Sequence, residues 1–198
     1  MASEQKVDCG RRRLIVATAA VGGVAGVVTA APFVASMMPS ERAKAAGAPV
    51  EVDLSKLALG EMLTVAWRGQ PVWVINRTPE MIASLKVTDP LVSDPHSDKL
   101  QQPAYCKNET RSIKPEFFVA VGICTHLGCS PSEKFETGAA SGVGPNWPGG
   151  FLCPCHGSTF DLAGRVYKDK PAPLNLVVPP YMYLSDNKIV IGEDKKGA

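Results

Sequence analysis

The sequence predicts a mostly β protein, an antiparallel sandwich or barrel head, carried on one N-terminal transmembrane helix. Three observations lead to that prediction. The run from Leu14 to Met38 holds no charged residue, and it is longer than the roughly 20 apolar residues that cross a bilayer. Beyond it, short runs of β-branched and aromatic residues recur between glycine- and proline-rich turns, the pattern of an antiparallel sandwich or barrel. After the tether that follows the apolar run, a single segment carries a helical signature. With 198 residues and 45% hydrophobic content, the chain can enclose one modest core beside such an anchor.

The elements follow in order. Residues 1–13 set Lys6 and the triplet Arg11-Arg12-Arg13 against Glu4 and Asp8. That basic excess places the N-terminus in the cytoplasm and the remaining chain on the other face of the membrane. The arginines also resemble a twin-arginine export signal, which suits a head that crosses the membrane already folded. Ala43-Lys44-Ala45 offers a site for signal cleavage, but the apolar run exceeds the about 7 to 15 residues of a signal core. Residues 14–38 are therefore expected to stay as the membrane helix, with Gly22 and Gly26 as a weak helix-packing pair. Residues 39–49 read as a tether, or as a continued helix through Glu41-Arg-Ala-Lys-Ala-Ala. From Glu41 onward basic and acidic side chains balance, which excludes a nucleic-acid surface.

In the head, residues 50–198, strands are expected at Val50-Asp53, Leu63-Trp67, Val72-Asn76, Phe117-Gly122, Leu176-Val178 and Lys188-Ile191. Arg68-Gly69-Gln70 and Ser185-Asp186-Asn187 look like hairpin connections. Thr78-Leu85 is the expected helix, with Thr78 as N-cap and Pro79 at the first helical position. The proline-rich stretch from Asp89 to Pro103 reads as a surface insertion, and His96 within it as a surface residue.

The chemistry lies in two boxes, Cys124-Thr-His126-Leu-Gly-Cys129 and Cys153-Pro-Cys155-His156-Gly-Ser158. Each pairs a thiolate donor with an imidazole and adds one further cysteine. Two cysteines and two histidines could hold structural zinc, but the first pair is separated by one residue where zinc sites commonly have about two to four. A disulfide framework among all the cysteines leaves both histidines unexplained. Two thiolates and two imidazoles, with two spare thiols, fit a 2Fe-2S centre in which histidines replace the cysteines on one iron. Two thiolates neutralise the oxidised core, whereas four would leave it negative. Such a centre therefore accepts an electron more readily, at roughly −150 to +300 mV against about −400 mV for plant-type ferredoxins. Imidazole ligation also links protons to electrons, because the metal's charge sets the basicity of the distant ring nitrogen.

Through these boxes, the arginine-led anchor, the small-residue tether and the Pro171-Ala172-Pro173 segment, nearly the whole chain resembles the Rieske iron-sulfur subunits of bacterial ubiquinol:cytochrome c reductase, the cytochrome bc complex. The resemblance implies a Rieske-type head with a cluster-binding subdomain over residues 122–175. It implies one 2Fe-2S cluster, with Cys124 and Cys153 on one iron and His126 and His156 on the other. It further implies a disulfide between Cys129 and Cys155. In that family His126 and His156 would take an electron and a proton from ubiquinol at the membrane surface, and the electron would pass to a c-type cytochrome. The chain would then be one subunit of a proton-translocating oxidoreductase, with cytochrome b and cytochrome c-type subunits as partners in a dimeric complex. Leu127, Gly128 and Pro171 match positions that shape the surface meeting the quinone site and the cytochrome.

Two further residues match positions that tune the cluster. Ser158 matches a serine whose hydroxyl bonds a bridging sulfide. Phe160 stands where the family often has a tyrosine that donates to a ligand sulfur, which implies a potential below the family's upper range. The family commonly has glycine where this chain has Lys170. Cys106 and Cys9 read as thiols without a role. The Rieske subunit of a periplasmic arsenite-oxidase-type molybdenum enzyme also resembles the chain in export signal and disulfide. The long gap between His126 and Cys153, the anchor and the proline segment favour the bc complex. A soluble ferredoxin feeding an oxygenase would not need the anchor.

Overall fold

In the computed structural model, which describes residues 8–194, the first element starts at Asp8. Its carboxylate accepts hydrogen bonds from the N–H groups of Gly10 at 3.0 Å and Arg11 at 3.2 Å, capping α1 (Cys9–Ser36). The helix thus begins before the uncharged run and takes the three arginines into its first turns. The remainder of the amino-terminal segment, residues 1–7, lies outside the described residues, as do residues 195–198. At 28 residues α1 is about 42 Å long, enough to cross the roughly 30 Å hydrocarbon layer. An 18-residue window of it has a mean hydropathy of 2.1. Its hydroxyls turn back on the helix: Thr18 donates to the Leu14 carbonyl at 2.9 Å and Thr29 to that of Ala25 at 2.8 Å. No polar side-chain proton of those residues is then left to face lipid.

α1 stops at Ser36, and Pro39, which lacks an N–H and disfavours a helical predecessor, accounts for the break. A separate short helix, α2 (Glu41–Ala46), follows. The membrane helix therefore does not continue through residues 39–49, and Glu41-Arg-Ala-Lys-Ala-Ala forms a helix of its own. The chain divides after Ala45 into two units.

The head contains three antiparallel three-stranded sheets. The first joins β1 (Val50–Asp53), β9 (Lys188–Ile191) and β8 (Tyr181–Ser185) in the order β1-β9-β8. The second runs β2 (Met62–Trp67), β3 (Gln70–Asn76), β4 (Phe117–Val121). In its central strand Val72, Trp73, Val74 and Ile75 are all buried, as a continuous apolar run requires. β2 and β3 are joined by a two-residue turn in which Arg68 and Gly69 have φ of 51° and 72°, the twist that suits a tight hairpin. The third sheet, β5 (Ser132–Lys134), β6 (Gly150–Leu152) and β7 (Thr159–Phe160), was not legible as strands in the sequence. Its strands are two or three residues long, shorter than any alternation pattern can register. One continuous core links the three sheets, from Val52 and Ile189 through Val74 and Phe118 to Phe151, Phe160, Cys124 and Cys153.

Three expectations are corrected. Leu176-Val178 belongs to no strand, because its backbone bonds go to three separate places: Leu176 N–H to Gly164, Val177 carbonyl from Val121, and Val178 N–H to Gln101. The expected helix forms as α3 (Pro79–Thr88), with Thr78 capping the Met81 N–H, but it runs a turn longer than its local pattern indicates. The Leu85 carbonyl near its end accepts locally, from the Asp89 N–H and from the Thr88 hydroxyl at 3.0 Å, and Arg165, far along the chain, adds a third donor at 2.8 Å. Finally, residues 89–103 lie only in part at the surface. Val92, Asp94 and Ser97 are buried, and backbone bonds tie the segment to Val166, Lys168 and Val178. His96 does lie exposed.

Candidate metal centre

Each box forms a tight loop, and the two loops share one backbone design. In the first, between β4 and β5, the Cys124 N–H donates to the Cys129 carbonyl at 2.8 Å and the Cys124 carbonyl accepts from Gly128 at 3.1 Å. In the second, between β6 and β7, Cys153 N–H donates to the Ser158 carbonyl at 2.8 Å and the Cys153 carbonyl accepts from Gly157 at 3.0 Å. Gly128 and Gly157 occupy the same place in their loops, with φ of 85° and 74°. Only a residue without Cβ adopts that left-handed conformation cheaply. The conformation lets each chain fold back on its first cysteine.

This design points both first cysteines inward and leaves the histidines at the rim. Cys124 and Cys153 are buried. His126 is half-buried and His156 exposed, with ring centroids 4.7 Å apart and planes nearly perpendicular at 85°. His126 Nδ1 is buried and makes no hydrogen bond, an arrangement that costs free energy unless the nitrogen has another partner. Burial pushes the Cys124 thiol pKa up, against hydrogen bonds from the His126 backbone and Ser158 that lower it.

Cys129 and Cys155 form a disulfide and tie the two loops together. Their sulfurs lie within 4.8 Å of Cys153 Sγ. That grouping of three sulfurs is not a ligand set, since two of them are committed to each other. The donors left are two buried reduced thiols and two imidazoles, one of which aims an unsatisfied nitrogen inward. This set fits a 2Fe-2S group of mixed thiolate and imidazole ligation and needs no other side chain.

A third segment closes the site. The Ala172 N–H donates to Ser158 Oγ at 3.0 Å, Thr125 Oγ1 donates to the Leu174 carbonyl at 2.6 Å, and Lys99 Nζ reaches the Pro173 carbonyl at 3.2 Å. Residues 171–174 are thereby tied to both loops, with Pro171 exposed. Just before this segment Asp169 takes the left-handed conformation at φ 56°, which aspartate tolerates. Ser158 and Phe160 are fully buried, and Phe160 shares its cluster of core residues with Cys124 and Cys153. Leu127 is 72% exposed beside Gly128 at the rim.

The sequence reading missed Thr125, which lies inside the first box, and it missed the buried carboxylate of Asp161 below the second. Asp161 accepts from the backbone N–H groups of Ala163 and Arg165, from Arg165 Nε at 2.8 Å and from Thr88 Oγ1 at 2.9 Å. The pair Asp161 and Arg165 at i, i+4 is a visible signal, but nothing local shows that both are buried. Cys106 is buried too, with its thiol 3.8 Å from the Tyr181 hydroxyl and its pKa pushed up to about 11 by burial.

Comparison with known proteins agrees with this site. Residues 95–181 match the Rieske 2Fe-2S domain, and residues 1–40 match the Ubiquitinol-cytochrome C reductase Fe-S subunit TAT signal. The chain is 59% identical over 197 residues to the ubiquinol-cytochrome c reductase iron-sulfur subunit of Allochromatium vinosum, covering 99% of this chain and 95% of that one. It is 40% identical over 195 residues to the subunit of the same name from Bradyrhizobium diazoefficiens, covering 97% of this chain and 100% of that one. Among solved structures, a chain of a hyperthermophilic respiratory Complex III is similar at 27% identity, with a TM-score of 0.48 over 88% of this chain and 97% of that one. Two boxes on matched loops, a disulfide between them, an apolar helix before them and relatives alike over nearly the whole length lead to one conclusion: this chain belongs to the family of ubiquinol-cytochrome c reductase iron-sulfur subunits.

Proposed function

We propose that this chain is the Rieske 2Fe-2S subunit of a cytochrome bc complex, taking an electron and a proton from ubiquinol and passing the electron to a c-type cytochrome. The observation that carries this reading is the donor set: two buried thiols, two histidines at the rim and a buried, unpartnered Nδ1 on His126. Cys124 and Cys153 would hold one iron, and His126 and His156 the other. When bound, the cluster supplies a one-electron acceptor whose imidazole ligands link its charge to a proton.

The chain's own residues do the rest. The buried cysteines and the 171–174 segment keep water from the sulfur side. The histidines leave their outer ring edges open; with Nδ1 of His126 turned inward, its Nε2 is the atom that exchanges a proton or hydrogen bond with quinol. Ser158 Oγ accepts from Ala172, which leaves its own proton for a sulfur of the site. Leu127, Gly128 and Pro171 form an apolar rim for the quinone pocket and the cytochrome. Covering a leucine as exposed as Leu127 contributes on the order of 1.5–3 kcal/mol. Cytochrome b and c-type subunits are the partners of this surface, in a dimeric complex.

The same proposal covers the chain's organisation. Residues 1–13 stay in the cytoplasm, 14–38 cross the inner membrane once, 39–49 tether, and 50–198 form the periplasmic head. The arginines preceding the apolar run support this orientation. The molybdenum-enzyme alternative is not favoured, since the relatives share both the head and the N-terminal segment.

Electron paramagnetic resonance during a redox titration of the full chain tests the function. The expected result is a rhombic signal of low average g from the reduced protein, with a midpoint potential that falls as pH rises. Bound zinc without a signal, or a pH-independent potential near that of four-thiolate ferredoxins, would overturn the ligand assignment.

A further inference from the structure

Beneath the site, the indole of Trp73 touches the roots of both cluster loops, and none of the motifs requires it to. Trp73 lies at the centre of β3, 3% exposed, opposite Ala120 of β4. Its ring stacks on Phe151 of β6, two residues before Cys153, with centroids 4.8 Å apart and planes 16° from parallel. It also packs against Gly122, two residues before Cys124. A Cβ at Gly122 would meet Trp73 Cε2 at 2.3 Å and Nε1 at 2.5 Å, distances that real atoms do not tolerate. Gly122 is not among the glycines with positive φ, so its backbone does not demand glycine. The space is kept for the indole.

The root of the first loop is closed just above this contact. Gly122 N–H donates to the Pro71 carbonyl at 2.8 Å, and the Gly122 carbonyl accepts from Ser130 Oγ at 3.0 Å, one residue beyond Cys129. The root of the second is closed by the pairing of Phe151 with Phe160, and Phe135 packs edge-on against Phe151 at 5.7 Å. Each loop is a closed unit seated on one face or edge of the same indole. The disulfide joins the two units covalently, and Trp73 joins them at the base.

We infer that Trp73 is a positioning residue for the cluster: wedged between Gly122 and stacked Phe151, it sets the separation of the two ligand-bearing loops. This rests on the ligand assignment proposed above. A loop pair held by both links presents its four donors at one spacing, and removing the lower clamp lets that spacing vary. A side chain that merely filled the core would affect stability alone.

The test compares full-length Trp73→Ala and Trp73→Phe with Ile189→Ala, which empties the same core from the sheet that bears neither loop. Spectra, midpoint potential, cluster release to a chelator and thermal midpoint are measured on each. Trp73→Ala should broaden and shift the g values, move the potential and speed cluster release on the order of ten-fold, and Trp73→Phe should restore most of each. Ile189→Ala should lower the thermal midpoint with spectrum and potential unchanged. If Trp73→Ala and Ile189→Ala leave the same spectrum and potential as the unaltered chain, the inference fails. Should Trp73→Ala not fold, Gly122→Ala decides from the other side. It should reproduce the spectral change, and Trp73→Val added to it should partly reverse that change by making room; an unchanged spectrum, or changes that simply add, overturn the inference. If the unaltered chain itself lacks the rhombic signal, the ligand assignment fails instead.

Discussion

Replacing Asp161 by asparagine removes one charge from the interior while keeping the side chain's shape. Asp161 and Arg165 are both fully buried, and four hydrogen bonds converge on the carboxylate. Asparagine can keep the two backbone N–H donors on its remaining oxygen. It then turns an NH2 group toward the Arg165 guanidinium, so a donor faces a donor. Burial pulls the Arg165 pKa down, but Asp161 and Asp89 outweigh it and raise the pKa on balance, so the guanidinium stays charged and needs its partner. Breaking a buried pair from one side costs about 3–5 kcal/mol. At roughly 2–4 °C per kcal/mol for a chain of this size, the thermal midpoint should fall by about 6–20 °C.

Asp89 supplies the comparison, because it bonds the same guanidinium with a side chain that is 42% exposed. Solvent screens that pair, and Asp89→Asn should cost about 1 kcal/mol or less. The assay is thermal unfolding of the full chain in detergent at matched cluster loading. Equal losses in the two variants, or a loss of less than about 1 kcal/mol for Asp161→Asn, would refute the claim that burial decides the strength of this network.

Four other outcomes are expected. Phe160→Tyr places a hydroxyl beside the buried cysteines and should raise the midpoint potential by tens of millivolts, from about 1 kcal/mol of hydrogen bonding to the reduced site; redox titration reads it, and no rise refutes the role of position 160. Cys129→Ser opens the disulfide and should lower the iron content retained through purification, measured against protein, whereas an unchanged content would leave the bond without a holding role. The raised pKa of Cys106, about 11 against an unfolded value near 9.0, favours the folded state fully below pH 9 and is lost as pH rises through 11. Cys106→Ala should therefore flatten the fall in stability across that window, measured by denaturant titration at stepped pH, and an unaltered slope would exclude the thiol. Arg11→Lys with Arg12→Lys should block delivery of the head to the periplasm, scored by protease access in spheroplasts, and normal access would exclude a twin-arginine route.

The sequence by itself determined the class of fold and the apolar helix, and it named the donors proposed for the cluster. The two boxes carry their chemistry in residue type and spacing, and even the loop geometry is written locally, as a glycine four residues after each first cysteine. An uncharged run of that length needs no partner to be read as a membrane helix. The tertiary structure alone decided how the site is held. The strands of the third sheet are too short to show a period, so they exist only because the other sheets and the loops give them neighbours. The last turn of α3 gains a further donor from Arg165, some 80 residues away, and within the stretch from Asp89 to Pro103 Val92, Asp94 and Ser97 are buried where backbone bonds tie it to residues 166–178. Trp73 and Gly122 look like an ordinary strand residue and an ordinary strand end until folding sets one against the other. Side-chain chemistry and short-range backbone geometry are local properties, but burial and long-range hydrogen bonds come into being when distant segments meet.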